Sequence, residues 1–95
     1  MRSRYTAYTL SNIPYIKKTM RGKALRAFNE KEARLWSKKV NWTGLQIVKT
    51  SIFLNKGYVE FIANFIECGK PNVLHENSEF IYEEGAWFYV DGTHN

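Results

Sequence analysis

The 95-residue chain is 44% hydrophobic and 16% aromatic, which supplies one folded core and excludes a disordered segment. No apolar run approaches the roughly 20 residues that span a bilayer, MRSRYTAYTL holds no uncharged apolar stretch, and the single Cys68 cannot close an internal disulfide; the expectation is one soluble domain over residues 1–95, in a reducing cytoplasm, without membrane association. The net charge of +5 is unevenly divided, because residues 1–50 carry 12 of the 14 Lys and Arg against Glu30 and Glu32 for a net +10, and residues 51–95 sum to −5.

Arg2 to Leu10 reads as a short helix, with Met1, Arg4, Tyr5 and Tyr8 on one face at spacing i, i+3, i+4, i+7. Ser11 and Asn12 interrupt it. Pro14 suits the first turn of a second helix, where its missing N–H removes no bond, and Tyr15, Ile16, Thr19 and Met20 continue the pattern until Arg21, Gly22 and Lys23 end it. Asn29 and Glu32 have capping-box spacing ahead of a third helix, whose apolar stripe is Ala33, Trp36 and Val40.

From Trp42 the period changes from helical to alternating. Thr43 to Phe53 is rich in β-branched residues and is followed by a turn at Asn55, Lys56 and Gly57. Tyr58 to Cys68 alternates, with Val59, Phe61, Ala63 and Phe65 as the core-facing set; Gly69 to Asn72 then turns the chain into a third strand ending at Glu83. Glu84 and Gly85 turn it into a last strand, Ala86 to Asp91. Short connections favour antiparallel neighbours, so the expected fold is α+β, with N-terminal helices packed on a curled four-stranded antiparallel sheet.

MRSRYTAYTL, the Trp-x-Gly-Leu-x-Ile step at Trp42, Gly44, Leu45 and Ile47, then VEFIANF, HENSEF and WFYVDG resemble the central domain of the YchJ-like proteins, over nearly the whole chain and in the same order. That resemblance implies the cone-like fold of the nuclear transport factor 2-like superfamily, whose helices and curved sheet enclose a pocket used by many members for small molecules and by some for catalysis. Full-length members resembling this chain also carry flanking Cys-rich SEC-C zinc motifs, which these residues do not contain. Where the family usually has Trp-His-Pro after the second helix, Met20, Arg21 and Gly22 stand here, and Asn77 and Glu79 replace the basic residues that often flank the Ser of HENSEF.

The third strand carries the informative chemistry. If Val59 to Phe65 face the helices, Phe80 does too, and a period of two brings Glu76 and Ser78 inward with it; Trp87, Tyr89 and Asp91 join them from the last strand. A buried carboxylate needs pairing, and Arg4 on the aromatic face of the first helix is the candidate partner, expected near Glu76 or Asp91. Two roles follow: a structural ion pair between helix and sheet, or a pocket lined by Arg4, Tyr8, Glu76, Ser78, Tyr89 and Asp91 for a small polar ligand.

His75, Asn77 and Glu79 belong to the opposite face, where His75 reads as a surface or interface residue rather than a general base. Tyr58, Ile62 and Ile66 make that outer face partly apolar and suggest a homodimer through it. Cys68 has no recognisable His partner. One Cys and two His, at positions 75 and 94, fall short of zinc-ligand spacing, and no phosphate loop or nucleophile elbow is present; neither cofactor nor metal is expected. The leading function is a non-enzymatic binding or interaction domain. The alternatives are an enzyme using Glu76 or Asp91 as acid or base in the pocket, and nucleic-acid binding through the basic helical half.

Overall fold

The computed structural model describes residues 2–94; Met1, expected on the aromatic face of the first helix, lies outside them. Four helices precede four strands: α1 (Arg2–Thr9), α2 (Ile13–Lys18), α3 (Gly22–Ala27), α4 (Glu30–Lys39), β1 (Val40–Phe53), β2 (Lys56–Glu67), β3 (Lys70–Glu83) and β4 (Ala86–His94). The strands form one antiparallel sheet in the order β1-β2-β3-β4, as the short connections predict. No helix among the described residues is long and apolar enough to cross a membrane.

Local chemistry explains most boundaries. The Asn12 side chain accepts a hydrogen bond from the Tyr15 N–H at 3.3 Å, with Pro14 in the first turn of α2. Asn29 caps α4 in the same way through the Glu32 N–H at 3.0 Å, and Lys38 and Lys39 complement the dipole at the far end. Several boundaries differ from expectation: the first hairpin turns at Leu54 and Asn55, and β4 runs on to His94. Gly22 does not terminate a helix but opens α3, because its φ of +61° lets the chain reverse directly after the extended Arg21. Strand β1 begins at Val40, three residues ahead of Thr43, with no loop between it and α4.

The β2–β3 and β3–β4 hairpins are two-residue turns in which both central residues, Cys68–Gly69 and Glu84–Gly85, have positive φ, the geometry whose twist matches that of the flanking strands. Register then places Phe61 opposite Glu76 and Gly57 opposite Phe80, so the inner set of β2 and the inner set of β3 share one face. An irregularity between Glu79 and Phe80 pairs Phe80 with Tyr89 but Glu79 with Asp91. This bulge inserts one residue into β4 and reverses its alternation.

The helical layer packs on the inner face. Ala7, Ile13, Ile16 and Met20 form its buried cluster, while Phe61, Ala63 and Phe80 are buried from the sheet side and Val59 and Phe65 are half-buried. An aromatic group, Tyr5, Tyr8, Trp36, Trp42 and Phe65, joins α1 and α4 to the sheet in mostly edge-to-face contacts, the Trp36 and Trp42 rings lying 5.5 Å apart at 76°. The edge of β4 is covered where Tyr89 donates to the Thr19 carbonyl at 2.8 Å and accepts from the Arg21 N–H at 2.9 Å, a short parallel bridge.

Candidate functional site

Strand β3 delivers Glu76 and Ser78 to the interior, with only 8% and 1% of their surfaces exposed. One oxygen of the Glu76 carboxylate, Oε2, accepts from the Ser78 hydroxyl at 2.5 Å and from the Tyr89 phenol at 3.2 Å. The other, Oε1, lies 3.3 Å from Nε2 of His94, whose side chain is 67% exposed at the end of β4. The carboxylate therefore connects the interior to the surface. Gly92, opposite Ser78 in the ladder, leaves the space in which the Tyr89 hydroxyl and Glu76 meet, since a Cβ there would lie 2.8 Å from the carboxyl group.

Arg4 enters from α1 and is 6% exposed. Its Nη1 donates to the Ile16 carbonyl at 3.0 Å and to the Thr19 hydroxyl at 2.5 Å, and the guanidinium lies 4.8 Å from the centre of the Tyr89 ring. The expected ion pair does not form: Arg4 borders the same cavity as Glu76, but among the described residues no carboxylate comes within ion-pair distance of it. The acceptors that α2 presents at its C-terminal end take the place of a carboxylate.

A cavity of about 230 Å³ separates the two layers, between Arg4, Tyr8 and Trp36 on the helices and Trp42, Phe61 and Glu76 on the sheet. Five of the six residues predicted to line a pocket, Arg4, Tyr8, Glu76, Ser78 and Tyr89, are brought together on its walls. Asp91 is not. The β4 bulge places it opposite Glu79 on the outer face, where its carboxylate is 3.7 Å from the Lys23 ammonium of α3 and accepts from the Gly92 N–H at 2.9 Å. Trp87, expected inside the pocket, instead covers Gly57 at the far end of the sheet.

Sequence reasoning missed His94, Gly92 and the Trp36–Trp42 wall. Trp36 already stood on the stripe of α4, and Trp42 already marked the change of period, so those two were within reach. Gly92 and His94 gain their meaning only from the bulged register. His75 occupies the outer face as its parity requires, with Nε2 2.6 Å from a Glu60 oxygen on the neighbouring strand. Tyr58, Ile62 and Ile66 share that face, Tyr58 and Ile66 exposed and Ile62 half-buried.

Burial sets the ionisation of the site. It pushes the Tyr89 phenol well above the ordinary tyrosine range, reinforced by the Glu76 charge and the hydrogen bond donated to it and opposed by Arg4. Burial also raises Tyr8, which Arg4 pulls part of the way back, and lowers Arg4. A phenol whose folded-state value lies above its unfolded value of about 10 contributes stability that is complete below that pH and is lost as the pH rises through the folded value. Urea midpoints are therefore expected to hold from pH 8 to 9 and to fall from about pH 10 upward, with a shallower alkaline fall in Tyr89→Phe. An unchanged slope in that variant would remove Tyr89 as the source.

Four N-terminal helices on one curled antiparallel meander, with a buried carboxylate and a buried guanidinium between the layers, define an α+β fold of the NTF2-like class. The chain belongs to the family described as YchJ, middle NTF2-like domain, whose model matches residues 1–92. Two relatives are a UPF0225 protein of Enterobacter sp. (strain 638), 41% identical over 95 residues, and a UPF0225 protein of Geobacter sulfurreducens, 40% identical. The matches cover 98% and 97% of this chain but 62% and 59% of those proteins, so the chain spans less than two thirds of the length of either. Among solved structures, a SEC-C motif containing protein from Rhodopseudomonas palustris aligns with a TM-score of 0.89 at 33% identity, covering 98% of this chain and 73% of that one. A second, from Psychrobacter arcticus, gives 0.81 at 28%, covering 100% and 58%.

Proposed function

We propose that the chain is a non-enzymatic binding domain whose small-molecule ligand occupies the cavity between α1, α4 and the inner face of the sheet. The supporting observation is that helices and sheet leave about 230 Å³ between them at the point where Arg4, Glu76, Ser78 and Tyr89 converge. Mostly aromatic walls with a few convergent polar groups are the usual composition of a small-molecule site. The volume lies below the roughly 300–1,000 Å³ of drug-sized pockets, so the ligand is about the size of one substituted ring. Asp91, turned away from the cavity, has no part in this reading.

Ala63, fully buried on the cavity wall, supplies the test. In Ala63→Leu the added atoms point toward the cavity; a hollow interior takes them up, so the melting temperature is expected to hold or rise, and binding of one-ring compounds is expected to disappear from ¹H–¹⁵N spectra. A filled interior would instead give the overpacking loss of about 1–3 kcal/mol. That loss would remove the pocket, and the proposed function with it.

A further inference from the structure

We infer that the pocket takes a small organic acid, a single carboxylate on a planar apolar body, with Arg4 as its counter-ion. This rests on the pocket being a ligand site at all, and goes beyond it by assigning the chemical class.

Arg4 is a buried cation without an ion-pair partner among the described residues. A guanidinium stays protonated in proteins, and burying it without an opposite charge is strongly unfavourable. Arg4 is 6% exposed, yet its acceptors are the neutral oxygens of Ile16 and Thr19, both served by Nη1. Among the described residues no carboxylate comes within ion-pair distance of it, and it borders the cavity beside the Tyr8 and Tyr89 phenols. Glu76 favours the protonated guanidinium only from a distance, because Oε2 already accepts from Ser78 and Tyr89, Oε1 faces His94, and neither oxygen comes within ion-pair distance of Arg4.

The remaining lining points the same way. The Trp42 indole N–H, also on the cavity wall, is buried without an acceptor, so this wall offers donors in excess of acceptors. A ligand rich in acceptors corrects that imbalance, and a carboxylate matches the fork of a guanidinium with two parallel hydrogen bonds. A single negative charge is favoured over a phosphate dianion, since one cation serves the site and the Glu76 charge on the same wall opposes a second. Edge-on Trp36, Trp42 and Tyr8 rings bound a space suited to a flat body.

Benzoate, benzyl alcohol and benzylamine present one ring with a negative, neutral or positive head. Titrated into the ¹⁵N-labelled chain, benzoate is expected to shift the Trp42 indole N–H to saturation with an apparent Kd about tenfold or more below that of benzyl alcohol, the scale of a charge-assisted hydrogen bond. Arg4→Met should abolish the preference, benzoate weakening at least about tenfold relative to the alcohol. If its spectrum shows that variant unfolded, Arg4→Lys replaces it, and the preference should shrink because an ammonium lacks the fork. Saturable binding in which alcohol or amine equals or exceeds benzoate overturns the acid assignment while the pocket stands. So does a preference retained in the folded Arg4 variant. No saturable shift of Trp42, Ala63 or Ser78 with any of the three overturns the pocket as well.

Discussion

Replacing Gly92 by alanine is expected to lower the melting temperature by about 15 °C, the equivalent of about 3 kcal/mol in a chain of this size. The cause is space rather than backbone freedom. Gly92 pairs with Ser78 inside the ladder, and a Cβ there would overlap the Tyr89 hydroxyl and lie 2.8 Å from Glu76 Oε2. Neither neighbour swings away freely: the Tyr89 ring is held edge-on against Phe80 at 5.7 Å and beneath Arg4, and the Glu76 carboxylate is fixed by Ser78. Displacing Tyr89 also breaks its bond to a buried carboxylate, itself worth about 1.5–3 kcal/mol. Thermal melts of Gly92→Ala, Tyr89→Phe and the double variant check this. Removing the phenolic oxygen takes away the worst overlap but forfeits the same hydrogen bond, so the double variant is expected to lose clearly less than the sum of the two single losses. Additive losses would show that Gly92 is needed for some other reason.

Arg4→Met is expected to destabilise the fold by about 2–4 kcal/mol. Methionine keeps much of the apolar stem but leaves the fully buried Ile16 carbonyl without its Arg4 donor and removes the cation from the Tyr89 ring. Relief from burying a charge acts in the opposite direction, and replacement of buried ionic groups by apolar ones is neutral in some proteins. The balance falls toward destabilisation here because Nη1 bridges two acceptors at the end of α2 and so ties α1 to it. Urea denaturation at constant m-value measures the difference. A variant as stable as the parent would mean that Arg4 contributes nothing net to folding.

The division of β3 was legible in its residues. Alternation alone put Glu76, Ser78 and Phe80 on one face and His75, Asn77 and Glu79 on the other, because adjacent side chains of a strand must point apart. The inner set of β2 was readable for the same reason, as was the Asn29 cap from its capping-box spacing to Glu32. Asp91 was misplaced because parity holds only while the ladder is regular. WFYVDG carries no mark of the extra residue that the Glu79/Phe80 irregularity inserts, and one inserted residue reverses everything beyond it. Helix α3 escaped notice because a glycine after Met20 and Arg21 reads equally as a stop and as the sharp reversal that opens another helix.

By itself the sequence determined the α+β class, the antiparallel meander, the family resemblance and the polar residues carried into the interior, since all of these depend on local period, turn chemistry and motif order. The tertiary structure alone decided which partners those polar groups find. Arg4 meets the C-terminal end of α2 instead of a carboxylate, Glu76 meets Ser78, Tyr89 and His94, and Asp91 meets Lys23 on the opposite face. The physical reason is that pairing depends on register and helix docking, which are set by the packing of the whole chain. Whether the layers close or leave a cavity is decided at the same level, as the sum of many side-chain volumes rather than the property of any one stretch.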